Sequence, residues 1–426
     1  AISTGVSNTA LGYAALSANT TASNNTAIGF KAMDQNTTGA GNVGLGFEAM
    51  DANTTGAANT ALGNNALGSN TTAANNTAVG HDALKANTTG SENTAVGKNA
   101  ADAVTTGEDN TAIGYAALGE CTTGDSNTAV GRSALNNNTT GHSNTAVGVQ
   151  SQEDTSTGVR NTSIGMNSML QNTSASDNTA LGFAALQQNT TGANNVAVGK
   201  DALLNNTTAD NNTAVGFDAL QANTTGAANT AVGKGAMLDN TTGSDNTALG
   251  ASALDNLQDG DNNTAVGVHA LGISGSGTSN TGIGHFAMGG GNVSGASNTT
   301  VGSYAGSNVT SGSNNLLLGH DSGISGSPGG NINNESNEIC LGDENISAAN
   351  IQVDWTVASD QRDKTDFTAL DLGLDFVKDL SPVTYKWDKR SKYGNKYADD
   401  YDLNAQTPDG THKEDWLDIG FKAQEV

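Results

Sequence analysis

Three prolines and two cysteines in 426 residues leave this chain with few rigid kinks and little scope for covalent bracing. Cys121 and Cys340 lie far apart and lack the spacing of a metal knuckle or a redox pair, so both read as small buried hydrophobes. Aromatic residues make up 4% of the composition, too little for the cores of the two or three ordinary domains that this length could hold. Basic residues are scarce: 17 Lys and Arg stand against 42 Asp and Glu, a net charge of -25. With no basic stripe to follow a phosphate backbone, nucleic acid is not expected as a partner. No apolar run approaches the ~20 residues of a membrane helix and no signal peptide stands at the start, so membrane insertion is not expected. The chain opens on Ala1, which reads as a processed product or a fragment. The six histidines are scattered and the Gly-Asp pattern of calcium-binding solenoids is missing, so no metal is expected and no cofactor is implied. Paired carboxylates in a cleft, as glycoside hydrolysis needs, are not discernible, and no turnover of an outside substrate is expected.

What is present is a strict period. The unit Asn-Thr-Ala-Val-Gly opens at Asn8, Asn25, Asn42 and Asn59 and continues every 17 residues to Asn280. Further copies open at Asn298 and Asn315, and a degenerate one, Glu338 to Gly342, closes the series. Low hydrophobicity with high charge would otherwise indicate disorder, but repeats can share one continuous core. Counting the opening Asn as position zero, position three is always Val, Ile or Leu and position four always Gly. Position eight is Leu or Met in all of the regular copies except those with Ala101 and Gln152. Position eleven is usually a second Asn, followed by Thr-Thr.

Four or five residues between Gly and Asn breaks suit a strand and are too short for a stable helix, so each unit is expected to hold two short strands. One unit is then one coil of a β-solenoid, and about twenty coils at ~4.8 Å each would make a rod roughly 95 Å long. Stacked Asn side chains are expected to bond amide to amide along the rod. The core is expected to take the side chains of positions three and eight. Alternation sets Thr and Val on one face and Ala and Gly on the other, and that small-residue face is expected to meet another chain in a homotrimer of parallel rods. Position five varies most, and its aromatic members, Tyr13, Phe30, Phe47, Tyr115 and Phe183, form a candidate column for contact with a receptor, a glycan included.

The Asn-Thr-Ala-Val-Gly-x-x-Ala-Leu pattern resembles the head repeats of trimeric autotransporter adhesins, which form trimeric left-handed β-rolls. It resembles more closely the repeat arrays of tail fibres from marine tailed phages. The adhesin likeness is partial, because the usual adhesin repeat is shorter and neither a coiled-coil stalk nor a membrane-anchor barrel is visible.

Beyond Gly342 the period ends. Ten of the 18 aromatic residues fall in 351–426, among them Trp355, Trp387 and Trp416. Leu370 to Leu380 has apolar residues at helical spacing, Pro382 would stop that helix, and Val383 to Trp387 alternates like a strand. The expected division is a shaft over 1–342, a connector over 343–358 and a small α+β domain over 359–426. The runs Ala358-Ser-Asp-Gln-Arg-Asp-Lys364, Leu-Gly-Leu-Asp-Phe-Val, Ser-Pro-Val-Thr-Tyr-Lys-Trp and Ile419-Gly-Phe-Lys-Ala-Gln-Glu-Val426 together resemble the intramolecular chaperone domain of phage tailspikes and tail fibres. The resemblance implies a domain that trimerises the fibre and then cuts itself off before the Ser of the Ser-Asp motif, here between Ala358 and Ser359. Ser359 would be the nucleophile and Lys364 its base, with Asp360 and Arg362 holding the loop. That family's domain continues with helical sequence past the point where this chain stops, so the domain is expected to be incomplete. The reading that follows is a virion fibre of a tailed phage, extracellular, with itself, a host-surface receptor and other tail proteins as partners; the alternative is a bacterial surface adhesin of the autotransporter type.

Overall fold

The computed structural model describes residues 4–273, 275–350, 383–386, 407, 409–413 and 418–420. The chain divides into two compact units, Ala1–Ala348 and Ala349–Val426. The first is an all-β parallel solenoid. Its twenty strands run from β1 (Thr9–Leu11) to β20 (Ile339–Leu341), each three residues long and each paired in parallel with the strand one coil away. Register is set by the sequence period: Thr9, Ala10 and Leu11 lie opposite Thr26, Ala27 and Ile28, and the match repeats along the stack. Two longer coils absorb their extra residues beyond position eight, so Thr281 still faces Thr299 and Leu316 still faces Ile339. No helix among the described residues is long and apolar enough to cross a membrane.

Each coil has one strand where two were expected. The second segment, positions five to nine, adopts left-handed backbone at alternate residues: Ala14 and Leu16 have φ of 54° and 57°, Lys31 and Met33 of 54° and 51°. Bulky residues there cost on the order of 1–2 kcal/mol apiece, and such a backbone cannot extend as a strand. The segment is still tied to the next coil. The Leu16 N–H donates to the Ala32 carbonyl at 3.0 Å and the Ala18 N–H to the Asp34 carbonyl at 3.0 Å, so its polar groups are satisfied by stacking. The corner glycine is forced. Gly12 has φ of 135°, and a Cβ on it would lie 2.3 Å from the Gly29 carbonyl oxygen.

The core reverses part of the expected arrangement. Position eight is buried as expected, with Met33, Met50, Leu67 and Leu84 fully enclosed, each burial contributing about 2–3 kcal/mol. Position two is buried with it: Ala27, Ala61, Ala78 and Ala95 are closed to solvent. Position three points outward, leaving Leu62, Val96 and Ile113 at 47%, 37% and 41% exposure. The small-residue face is therefore the inside of the coil, and the expectation that it meets another chain is wrong. The bore explains it: Leu or Met arriving from position eight fills the coil, and only a methyl group fits across from it. Near the end the partition flips. Leu317 takes the alanine's place while Gly323 takes the leucine's, and a Cβ on Gly323 would come within 2.8 Å of Leu317 Cδ1. Core volume per coil is kept, not residue type.

The two Asn columns do different work. At position zero the Asn25 backbone N–H donates to Asn8 Oδ1 at 2.9 Å, and Asn8 Nδ2 donates to the Ala22 carbonyl at 2.8 Å. Side chain to backbone bonding leads in this column, and the expected amide-to-amide bond joins it where Asn127, Asn161, Asn178, Asn246, Asn263 and Asn298 each donate Nδ2 to the Oδ1 of the Asn one coil before. At position eleven the expectation holds: Asn53 Nδ2 donates to Asn36 Oδ1 and Asn70 Nδ2 to Asn53 Oδ1, both at 2.8 Å. Where Val104, Thr155 or Leu257 interrupts that column, the preceding Asn87, Asn138 and Asn240 keep a buried Oδ1 without a partner.

In the second unit, Val383–Tyr385 pairs antiparallel with Asp418–Gly420, within the segment expected to alternate as a strand. The expected helix over Leu370 to Leu380 lies outside the described residues.

Candidate functional site

The strand and its corner glycine place positions three and five on the outside. The column at position five forms local stacks. Tyr13 lies over Phe30 at 5.3 Å between ring centroids and Phe30 over Phe47 at 5.2 Å, both near parallel, because each ring stands one coil above the next. Tyr13 is 73% exposed. Phe183 is separated from Phe217 by one coil, and Lys200 fills the gap with Nζ 5.9 Å from one ring and 5.0 Å from the other. Hydrogen bonding to Asp201 at 2.6 Å raises the Lys200 pKa. Tyr115 stands apart from the stacks, on a groove of about 370 Å³ that Asn99, Asp102, Glu120 and Asn136 also line. The five aromatics named from sequence thus make one stack of three and two separate positions.

A second stack was missed. His269, Phe286 and Tyr304 occupy position six, with Phe286 4.8 Å from His269 and 5.5 Å from Tyr304. The signal was there, since these coils carry an aromatic ring one place later than the others do.

The last coils bring together three residues that could hold a metal ion. His320 Nδ1 lies 3.3 Å from Asp321 Oδ2 and 3.5 Å from Asp343 Oδ2, and the three donor atoms fall within 4.8 Å of one another. Asn345 hydrogen-bonds to Asp343 and holds its carboxyl below the usual range. Sequence reading took the histidines as scattered because Asp343 returns to His320 only through the longest coil. Cys121 and Cys340 are free thiols, both buried as expected. Burial pushes the Cys121 thiol up to about 11.

The residues expected to cut the chain, Ala358, Ser359, Asp360, Arg362 and Lys364, lie outside the described residues. Their sequence context decides more. Residues 359–426 match the peptidase S74 family, the chaperone of endosialidase. The match opens on Ser359 and runs through Val426. No curated protein matches the chain. A segment similar to the chaperone of endosialidase therefore follows a parallel β-solenoid in the sequence.

Proposed function

We propose that this chain is the shaft of a trimeric fibre of a tailed phage, assembled with the help of its C-terminal chaperone and presented outside the virion for attachment to the host surface. The chaperone match over 359–426, behind a shaft whose coils expose an apolar strand face, carries the reading. A parallel solenoid suits reach and adhesion, and its partners would be two further copies of itself, other tail proteins and a host receptor. The bacterial adhesin alternative accounts for the repeats but not for a chaperone segment behind them.

In this reading the chaperone holds three chains in register while the stack forms, then releases the shaft. The Ser359 hydroxyl, adjacent to the Ala358 carbonyl, attacks that carbonyl once Lys364 has taken its proton; the peptide bond breaks as Lys364 passes the proton to the Ser359 amine, and water then hydrolyses the new ester, leaving a carboxylate on Ala358 and restoring the Ser359 hydroxyl. The role of Lys364 requires a neutral amine, which burial would favour. Intact-mass analysis of the full chain tests this. Wild type is expected to yield two fragments divided between Ala358 and Ser359, and Ser359→Ala a single uncut chain. Cutting that survives the substitution removes Ser359 from the role.

A further inference from the structure

The outward strand face is edged by opposite charges. Position five, just past each strand, carries Lys98, Arg132, Lys200 and Lys234, of which Lys200 is already paired with Asp201 of its own chain, and from Tyr13 to His320 the column holds no Asp or Glu. The two positions before each opening Asn carry Glu92, Glu108, Asp109, Asp125, Asp177, Asp210, Asp245 and Asp261. Their one cation besides histidine, Arg160, is already paired with Asp177 at 2.7 Å. Lys98, Arg132, Lys234, Glu92, Asp109 and Asp245 are all exposed. Between the two edges runs the line of position-three aliphatics, among them Leu62, Val96, Ile113 and Leu249, each more than a third exposed.

We propose that this face is a seam between copies of this chain standing parallel about a common axis, the cationic edge of each against the acidic edge of the next. The inference deepens the trimeric reading above and rests on it. Parallel copies related by rotation about the fibre axis bring unlike edges together, whereas an antiparallel pair would set cation to cation and carboxylate to carboxylate. Levels also agree. Glu92 precedes and Lys98 follows the strand Thr94–Val96; Asp125 precedes and Arg132 follows Thr128–Val130. Lys200 and Lys234 each lie one strand away from an acid on the opposite edge, Asp210 and Asp245. With chains in axial register every cation of the column meets a carboxylate within one coil, about 4.8 Å. Where the column is aromatic, the opposite edge is uncharged beside Phe30 and Phe47, at Ser23, Asn24, Ala40 and Gly41, and acidic beside Tyr115, Phe183 and Phe217, at Asp109, Asp177 and Asp210. Three of the acids, Asp125, Asp210 and Asp261, also accept a backbone N–H from the preceding coil, so their side chains are held in place at the edge. The aromatic column offered to a receptor on sequence grounds then lies in the seam.

The test joins the two edges covalently in the full chain. Lys98→Cys and Glu92→Cys are introduced together and the protein is treated with a short bismaleimide; Cys121 and Cys340 are buried and do not compete. Within one chain the two positions stand at opposite ends of a strand, roughly 15–20 Å apart, too far for the reagent. A covalent trimer on a denaturing gel from the double variant, with neither single variant linking, is the expected result. A single variant that links to a dimer shows like edges meeting and overturns the proposal. Trimers by light scattering that stay unlinked in the double variant overturn the seam and leave the trimeric reading standing, whereas monomers by light scattering overturn both.

Discussion

At the scale of single residues, the solenoid spends conformational strain to gain stacking. Leucine in left-handed backbone at nearly every coil would be disfavoured in isolation, and it persists because its N–H and carbonyl are met by the coils on either side. The same closeness governs Cys121, whose S–H is aimed at the Gly124 carbonyl at 3.6 Å, inside the Asn column. Because burial raises its pKa from 9.0 to about 11, folding favours the neutral thiol. Its contribution to stability is full below pH 9 and fades as the pH climbs through 11. Folded protein is therefore expected to resist maleimide at pH ~8 and to take up the label only after unfolding. Rapid labelling of the native thiol would contradict the described burial.

At the scale of the coil, one pair of neighbours stands out. The apolar core is two clusters, one ending at Ala146 and the other beginning at Met169. Between them lie Ser151, Gln152, Thr155, Ser163 and Ser168, all buried, in positions that elsewhere hold Ala, Leu or Asn. The three serines satisfy one another, with Ser151 Oγ 2.8 Å from Ser163 Oγ, but neither polar atom of the Gln152 amide has a hydrogen-bond partner. An unmet buried amide costs about 1–3 kcal/mol. Gln152→Leu, restoring the residue of that column between Leu135 and Met169, is expected to stabilise the shaft by about that amount in guanidinium unfolding; a loss of stability would mean the amide is satisfied by bound water. Periodicity made the coil, the corner glycine and the buried column at position eight legible in advance. It could not say which side of Thr-Ala-Val faces in, because alternation defines two faces and the width of the bore chooses between them. Nor could it show that positions five to nine pair without being a strand, since left-handed φ at Leu16 or Met33 leaves no mark on composition. For the cleavage residues, the likeness of the Ser-Asp motif was legible and agrees with where the chaperone match begins, while Ser359 and Lys364 themselves lie outside the described residues.

At the scale of the molecule, contacts between coils are local in the stack yet 17 residues apart in sequence, so any coil can begin to pair with the wrong neighbour. Identical strands make register errors cheap, and an assembly aid that fixes the ends has clear value. On the proposed reading, a shaft freed of that aid would be held by the height of its unfolding barrier. Denatured and diluted, cleaved shaft is expected to recover few trimers by light scattering, whereas uncut Ser359→Ala protein recovers most of them. Equal recovery from both would deny the chaperone its part in assembly.

The uniform register has a genetic consequence. Because each repeat is a whole number of codons and carries its own corner, core residue and backbone partners, unequal exchange between repeated stretches of DNA would delete or duplicate a unit without shifting any pairing in those that remain. The length of the solenoid could then vary among descendants in steps of about 4.8 Å, leaving its cross-section unchanged.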